Sequence, residues 1–502
     1  MLRQRSIFYL PRRFKHKKDH WSVVEKKKHP VDRALSNFDD FYGSVFGNRW
    51  RGIRAALLTE HKYIALVNNF GDTEKTCEEL ELEGAINVRL LYNITKERLP
   101  NGPSREVPEL GKGSVDTKLR GFIRQQEEQE IASIYPKSAE EVAPSLAEIQ
   151  FRDEHQTQNI AQAGEHVDPK KSLTETIKED SEIDLQRIVD PEYGSGALHD
   201  FVPANRIKGM EDWIPESEHY KYYSNTTDFP LAIEPEEEFI FPENLQLYSY
   251  EKGNCSLFAK PKKSQTGVLT HFLMDGASVL PALLLDVKYG ERVLDACAAP
   301  GGKSLLMLQT LHPDIVICND IQESRTNRIK RIMDQYLFDY EEKWHGKRIL
   351  ITQGDARVLE DYELYDKILV DVPCTTDRHS LMENDNNIFK PSRVKERLRL
   401  PEMQSAILTN CLRLLKPGGS LMYSTCSLSP IQNDGVVHMS LQKVFSEYGI
   451  TTTVKDLSRQ MKCFGHLFRF ENPKNLKYGQ MVLPYLPANF GPMYFCKITR
   501  NE

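Results

Sequence analysis

Long apolar runs are missing from this chain: no apolar stretch reaches ~18 residues without a charge, so a membrane span is not expected. The nine cysteines form no CxxC pair and no ladder of disulfide spacing. That fits a reducing compartment, where a thiol is either catalytic or a small buried hydrophobe. Neither a GxGxxG loop nor a GxxxxGK[ST] phosphate loop occurs, which counts against a nicotinamide dehydrogenase and an ATPase. Histidines at ligand spacing from the cysteines are also lacking, and no metal site is expected.

What is present is unevenly distributed. The net charge is −6, but residues 121–190 hold 16 Asp and Glu against seven Lys and Arg, a balance of −9 that leaves the remainder at +3. The acidic total therefore leaves a nucleic-acid partner open. Residues 1–18 carry Arg3, Arg5, Arg12, Arg13, Lys15, Lys17 and Lys18 with no acid before Asp19, and with Ile7, Phe8, Tyr9 and Leu10 among them. This is the composition of a mitochondrial transit peptide, assigned to residues 1–28; a basic RNA-binding arm is the alternative.

Residues 29–99 read as helical, from the three- and four-residue spacing of apolar side chains around Ala34, Phe38 and Ile53, and are expected to pack on the main domain. The pattern breaks down over residues 100–238. Only Phe122, Tyr135 and Phe151 are aromatic within 121–190, too little apolar surface to offset chain entropy, so the segment is read as an acidic, largely disordered insertion. From residue 239 to 502 strands and helices alternate. Strands are expected at 292–297, 315–320, 348–352, 367–371 and 420–425, with an added antiparallel strand at 493–498. The fold class is therefore α/β, a doubly wound and mainly parallel sheet that binds ligands at the carboxyl ends of its strands.

Three motifs fall at those ends. The first, DACAAPGGKS at residues 295–304, places Gly301 and Gly302 between a strand and a helix, where a ligand can approach the backbone closely. Asp320, closing the second strand, suits the two hydroxyls of a ribose, and Asp355, after the third, suits an adenine amino group. The second motif is DVPC, ending at Cys374, and the third is STCS around Cys426. Two thiols on neighbouring strand ends beside Asp371 suit an attack on cytosine. Its C5 is a poor nucleophile until a thiolate adds to C6, and a carboxylate at N3 stabilises the protonated adduct. Such a thiolate calls for nearby positive charge, and Lys303 and Arg378 are candidates. The chemistry alone does not say which thiol attacks.

CAAPGGKS, DVPCTTDRHS and YSTCSLSPIQND, in this order, resemble the NSUN (Sun-domain) RNA 5-methylcytosine methyltransferases. Residues 375–380 and 486–497, with 34–39 and 65–70, are similar to the mitochondrial ribosomal-RNA type of that family. The resemblance covers residues 31–99 and 239–498. It implies a class I methyltransferase domain that binds S-adenosyl-L-methionine through Gly301, Gly302, Lys303, Asp320, Arg325, Asp355, Ala356 and Asp371. Ser304 stands for a common Thr, and Ala356 for a common Gly. It also implies unequal thiols, Cys426 attacking and Cys374 assisting release, although DNA cytosine methyltransferases use the Pro-Cys thiol. By the same resemblance the substrate is mitochondrial small-subunit ribosomal RNA, in the matrix, with an mTERF-family protein as a possible partner. Arg328, Lys330 and Arg331, and the basic run 390–399, are candidate phosphate contacts, and the target base is expected in single-stranded or bulged RNA. A ribosome-assembly factor with dispensable catalysis is the alternative function.

Overall fold

Ala34, Phe38, Tyr42 and Phe46 recur at four-residue spacing and are all buried, which gives α1 (Pro30–Phe46) a single apolar stripe. Pro30 sits in its first turn, and the Asp32 carboxylate accepts from the His29 backbone N–H at 3.1 Å. The computed structural model describes residues 29–98, 229–236 and 238–501. The basic N-terminal segment and residues 99–228 of the acidic one lie outside the described residues.

After α1 come α2 (Trp50–Leu57), β1 (Tyr63–Val67), α3 (Thr73–Leu82), β2 (Ile86–Asn87) and α4 (Val88–Arg98). The N-terminal region is thus not helical throughout, which corrects the sequence reading. β1 is a continuous apolar run buried on both faces, so it has neither the alternation nor the period that would separate it from a helix. β3 (Ala232–Pro235), β4 (Leu247–Ser249) and β5 (His271–Asp275) follow. β1, β2, β4 and β5 form an antiparallel sheet in the order β2-β4-β1-β5. Its two faces alternate along β1: Ile64 and Leu66 enter the main core, whereas Ala65 and Val67 pack with Leu80 and Tyr248.

The larger sheet and its covering helices begin with α5 (Gly276–Leu284), β6 (Arg292–Asp295), α6 (Gly302–Gln309), β7 (Ile315–Asp320), α7 (Glu323–Tyr336), β8 (Ile349–Gln353) and β9 (Tyr365–Asp371). Then come α8 (Asp377–Met382), α9 (Val394–Leu398), α10 (Leu400–Leu414), β10 (Leu415–Thr425), α11 (Val436–Tyr448), β11 (Thr452–Asp456), α12 (Ser458–Phe464), β12 (Gln480–Val482) and β13 (Met493–Arg500). The order is β3-β11-β13-β10-β9-β6-β7-β8, with β12 also on β13. From β10 to β8 neighbours are parallel; β13 is antiparallel to β10, β11 and β12. β3 lies inside the stretch read as insertion, yet it pairs with β11. Four residues that end in Pro and are followed by Glu carry no strand signal of their own.

Both faces of the sheet are covered, so its strands are apolar on both sides. Val293, Val316, Leu369 and Met422 face one core with α5, α6 and α7; Leu294, Ile317, Ile368 and Tyr423 face the other with α1, α10 and α11. The chain runs outward from β6 to β8 and then returns to β9 on the other side of β6. That reversal opens a crevice over the carboxyl ends of β6 and β9.

Candidate active site

At the end of β6, Gly301 takes φ +112°, a left-handed backbone that favours glycine, and Gly302 begins α6. A Cβ on Gly302 would lie 2.8 Å from Phe272 Cε1, so a larger residue there would have to displace the Phe272 ring. Asp295 is buried: its Oδ2 accepts from Ser304 Oγ at 2.6 Å, and its Oδ1 has no hydrogen-bond partner among the described residues. Burial, reinforced by Asp371 and Asp320, pushes its carboxyl up to about 7 against the Ser304 bond and Lys303.

One strand further out, Asp320 is only 3 % exposed, with Oδ2 3.2 Å from Arg325 Nε. Arg325 also donates to the Ala299 carbonyl at 3.2 Å, which ties α7 to the glycine loop. β8 pairs Gln353 with Asp320, which puts Asp355 two residues beyond the neighbouring strand end. Arg357 grips the Asp355 carboxylate with contacts of 2.6–3.0 Å and holds its pKa down. Ala356 is buried, and its carbonyl accepts from Asn410 Nδ2 at 3.0 Å.

On the other side of β6, Asp371 ends β9. Its Oδ2 accepts from Lys303 Nζ at 2.6 Å and its Oδ1 from Ser424 Oγ at 2.7 Å. Burial pulls the Lys303 ammonium down, but Asp371 outweighs it and the net shift is upward. Just beyond these strand ends Cys374 Sγ and Cys426 Sγ are 3.0 Å apart. The hydrogen bond with Cys374, then burial, then the charges of Asp371 and Asp377 push the Cys426 thiol well above its ordinary range. The expectation of a thiolate favoured by nearby cations is corrected. Lys303 is neutralised by Asp371, and Arg378 turns away to the carbonyls of Ala56, Thr59 and Gly491 and to Asn489 Oδ1, at 2.8–2.9 Å.

The parallel sheet thus brings together Gly301, Gly302, Lys303, Asp320, Arg325, Asp371, Cys374 and Cys426 along one rim. The family model for the 16S rRNA methyltransferase RsmB/F matches residues 282–481. The 5-cytosine rRNA methyltransferase NSUN4 of Xenopus laevis is 32 % identical over 491 residues, spanning 97 % of this chain and 95 % of its own. The chain belongs to the NSUN family of 5-cytosine rRNA methyltransferases. NSUN-4 of Caenorhabditis elegans is 32 % identical over 99 % of this chain and 98 % of its own. The mitochondrial tRNA (cytosine(34)-C(5))-methyltransferase of Danio rerio is 32 % identical over 56 % of this chain and 70 % of its own. All three motifs of this NSUN chain lie inside the RsmB/F match, whereas residues 29–98 lie outside it and within the span of the full-length relatives.

The structure adds residues to the rim that the sequence reading passed over. Ser424 and Asp377 sit inside the quoted motifs, where their polar side chains, so close to the thiols, were the available signal. Tyr42 and Gln404 gave none. Only the packing of α1 and α10 brings them under the thiols.

Proposed function

We propose that this chain methylates C5 of a cytosine in mitochondrial small-subunit ribosomal RNA, with S-adenosyl-L-methionine as donor, Cys426 as nucleophile and Cys374 assisting release. The observation that carries this reading is the pair of thiols 3.0 Å apart at the crevice, beside a carboxylate held by Lys303 and Ser424. The donor's pocket fits the residues present. The Gly301 backbone is left-handed at the strand-to-helix turn, and the buried Asp320 carboxylate at the adjoining strand end suits a ribose. Gly301, Gly302, Lys303, Asp320, Arg325, Asp355, Ala356 and Asp371 would hold the donor, which supplies a methyl group activated as a sulfonium. A location in the matrix and an mTERF-family partner belong to the same reading. They are supported by the basic residues 1–18, by the likeness at 486–497 and by a mitochondrial relative.

The protein's part in the reaction follows from its own groups. Cys426 rests as a neutral thiol, so losing its proton is the first demand, and Cys374 is the sulfur within hydrogen-bond reach. The thiolate then forms a C–S bond to C6 of the flipped-out base; the C5–C6 π pair shifts to C5–C4 and the C4–N3 pair onto N3, which takes up a proton. Asp371 holds the proton at N3 while C5 takes up the methyl group. A base then removes the C5 proton, that pair re-forms the C5–C6 double bond, the sulfur departs with the C–S electron pair, and N3 gives back its proton.

Cys426→Ala should abolish methylation of a small-subunit rRNA fragment, read by bisulfite sequencing. Cys374→Ala should accumulate a covalent RNA–protein adduct on denaturing gels. An adduct that needs Cys374 and persists without Cys426 would reverse the two roles.

A further inference from the structure

The residue after each thiol points to the same carboxylate. Asp377 Oδ1 accepts from Thr375 Oγ1 at 2.5 Å and from Ser427 Oγ at 3.2 Å. Its Oδ2 accepts from the Leu428 backbone N–H at 2.7 Å and from Tyr42 Oη at 2.7 Å. Thr375 Oγ1 and Ser427 Oγ lie 2.8 Å apart, and Tyr42 Oη lies 3.3 Å from Ser427 Oγ. Gln432 locks the first loop by accepting from Thr375 N, while Gln404 donates to both the Pro373 carbonyl and Gln432. Asp377 is fully buried, and Thr376 is bent to φ 45° between Thr375 and Asp377. One carboxylate therefore holds the loops of Cys374 and Cys426 together, and α1 caps it from outside the sheet.

We propose that Asp377 and Tyr42 form a clamp that fixes the two thiols at bonding distance, and that both are positioning residues for the methyl transfer. The clamp carries out no proton transfer of its own. It sets whether the sulfur that attacks and the sulfur that assists release stay in register. Losing a donor from a buried carboxylate that takes four leaves it under-satisfied, and the loops relax. The S–H···S contact then lengthens. The proposal rests on the division of roles between Cys426 and Cys374 given above, but its first test does not.

That test is alkylation of Cys426 by iodoacetamide across pH on the full chain without RNA, read by mass spectrometry. Tyr42→Phe keeps the Asp377 charge and removes one donor. It should weaken the bond to Cys374 and move the alkylation midpoint to lower pH. The rate at neutral pH should then rise about tenfold for a midpoint that falls by about one on the pH scale. In a Cys374→Ala background the same substitution should move the midpoint no further, because the coupling runs through that sulfur. Asp377→Asn should lower the midpoint more than Tyr42→Phe does; if it fails to fold, Tyr42→Phe carries the test alone. With RNA, Tyr42→Phe should lower kcat by about ten- to a hundredfold with little change in KM. A midpoint unmoved in Tyr42→Phe, or one that moves equally with and without Cys374, would overturn the clamp even if melting temperature fell. A moved midpoint alongside a Cys426→Ala enzyme that still methylates would keep the clamp and remove the nucleophile assignment instead.

Discussion

At the scale of single residues, the site stores carboxylates in unequal states. Asp371 is held by a lysine and a serine, whereas Asp295 is buried with one oxygen unpartnered and its carboxyl pushed up to about 7. A raised folded-state pKa means that the native protein keeps a proton the unfolded chain has given up above ~4. This contribution to stability is full below that point and is lost as pH rises toward 7. Asp295→Asn should therefore flatten the fall in melting temperature between about pH 4 and 7, measured by calorimetry against the parent. A parent whose stability rises through that window because of Asp295 would contradict the assignment. Residues at this scale were legible where a short motif fixes the backbone, as with Gly301, Gly302 and the two thiols. The state of Cys426 was not legible. It depends on Asp371 having already taken Lys303 and on Arg378 having been spent on the carbonyls of α2 and its following turn.

At the scale of elements, α7 shows how one helix serves two surfaces. Thr326, Ile329, Met333 and Tyr336 face inward, and Ile329 lies against the glycine loop, while Arg328 and Arg331 are exposed. The run 390–399 differs. Arg393 is committed to Glu396 at 2.6 Å, and Arg397 lies 4.5 Å over the Phe389 ring. Of the two basic segments flagged in the sequence, α7 is therefore the better candidate for phosphate. The double variant Arg328→Ala, Arg331→Ala should weaken binding to unrelated RNAs alike. It should also reduce the slope of log K against log salt by roughly 0.7 per lost contact, read by fluorescence anisotropy. An unchanged slope would place the RNA elsewhere. Strands β6, β7, β9 and β13 were readable from their apolar runs. β1 was not, because its apolar run has neither the alternation of a strand nor the period of a helix, and β3 was not, because four residues ending in Pro carry no strand signal of their own.

At the scale of the whole molecule, residues 29–98 are not an appendage to the methyltransferase sheet. α1 packs through Phe38 on Phe389 with ring centroids 5.1 Å apart, and Asn489 near the C-terminus holds the end of α2 through bonds to Ala56 and Glu60. β1 forms the centre of the second sheet between β4 and β5. A chain begun at residue 239 should therefore lack a cooperative melting transition and any methylation, and supplying residues 29–98 in trans should restore both in part. A shortened chain that melts cooperatively and methylates RNA would show the two regions to be independent. The division at residue 239 that composition suggests thus cuts through shared cores.

The hydroxyl of Tyr42 meets Ser427 across 385 residues of chain. At ~5–20 residues per second, a ribosome making this protein separates the two by roughly 20 to 80 s. For that interval the aromatic stripe of α1 has no docking face. The thiols meanwhile have no organised neighbourhood, so a nascent chain cannot form covalent adducts with the RNA around it. Methylation becomes available only when almost all of the polypeptide has been made, and α1, though made early, is among the last elements to find its place.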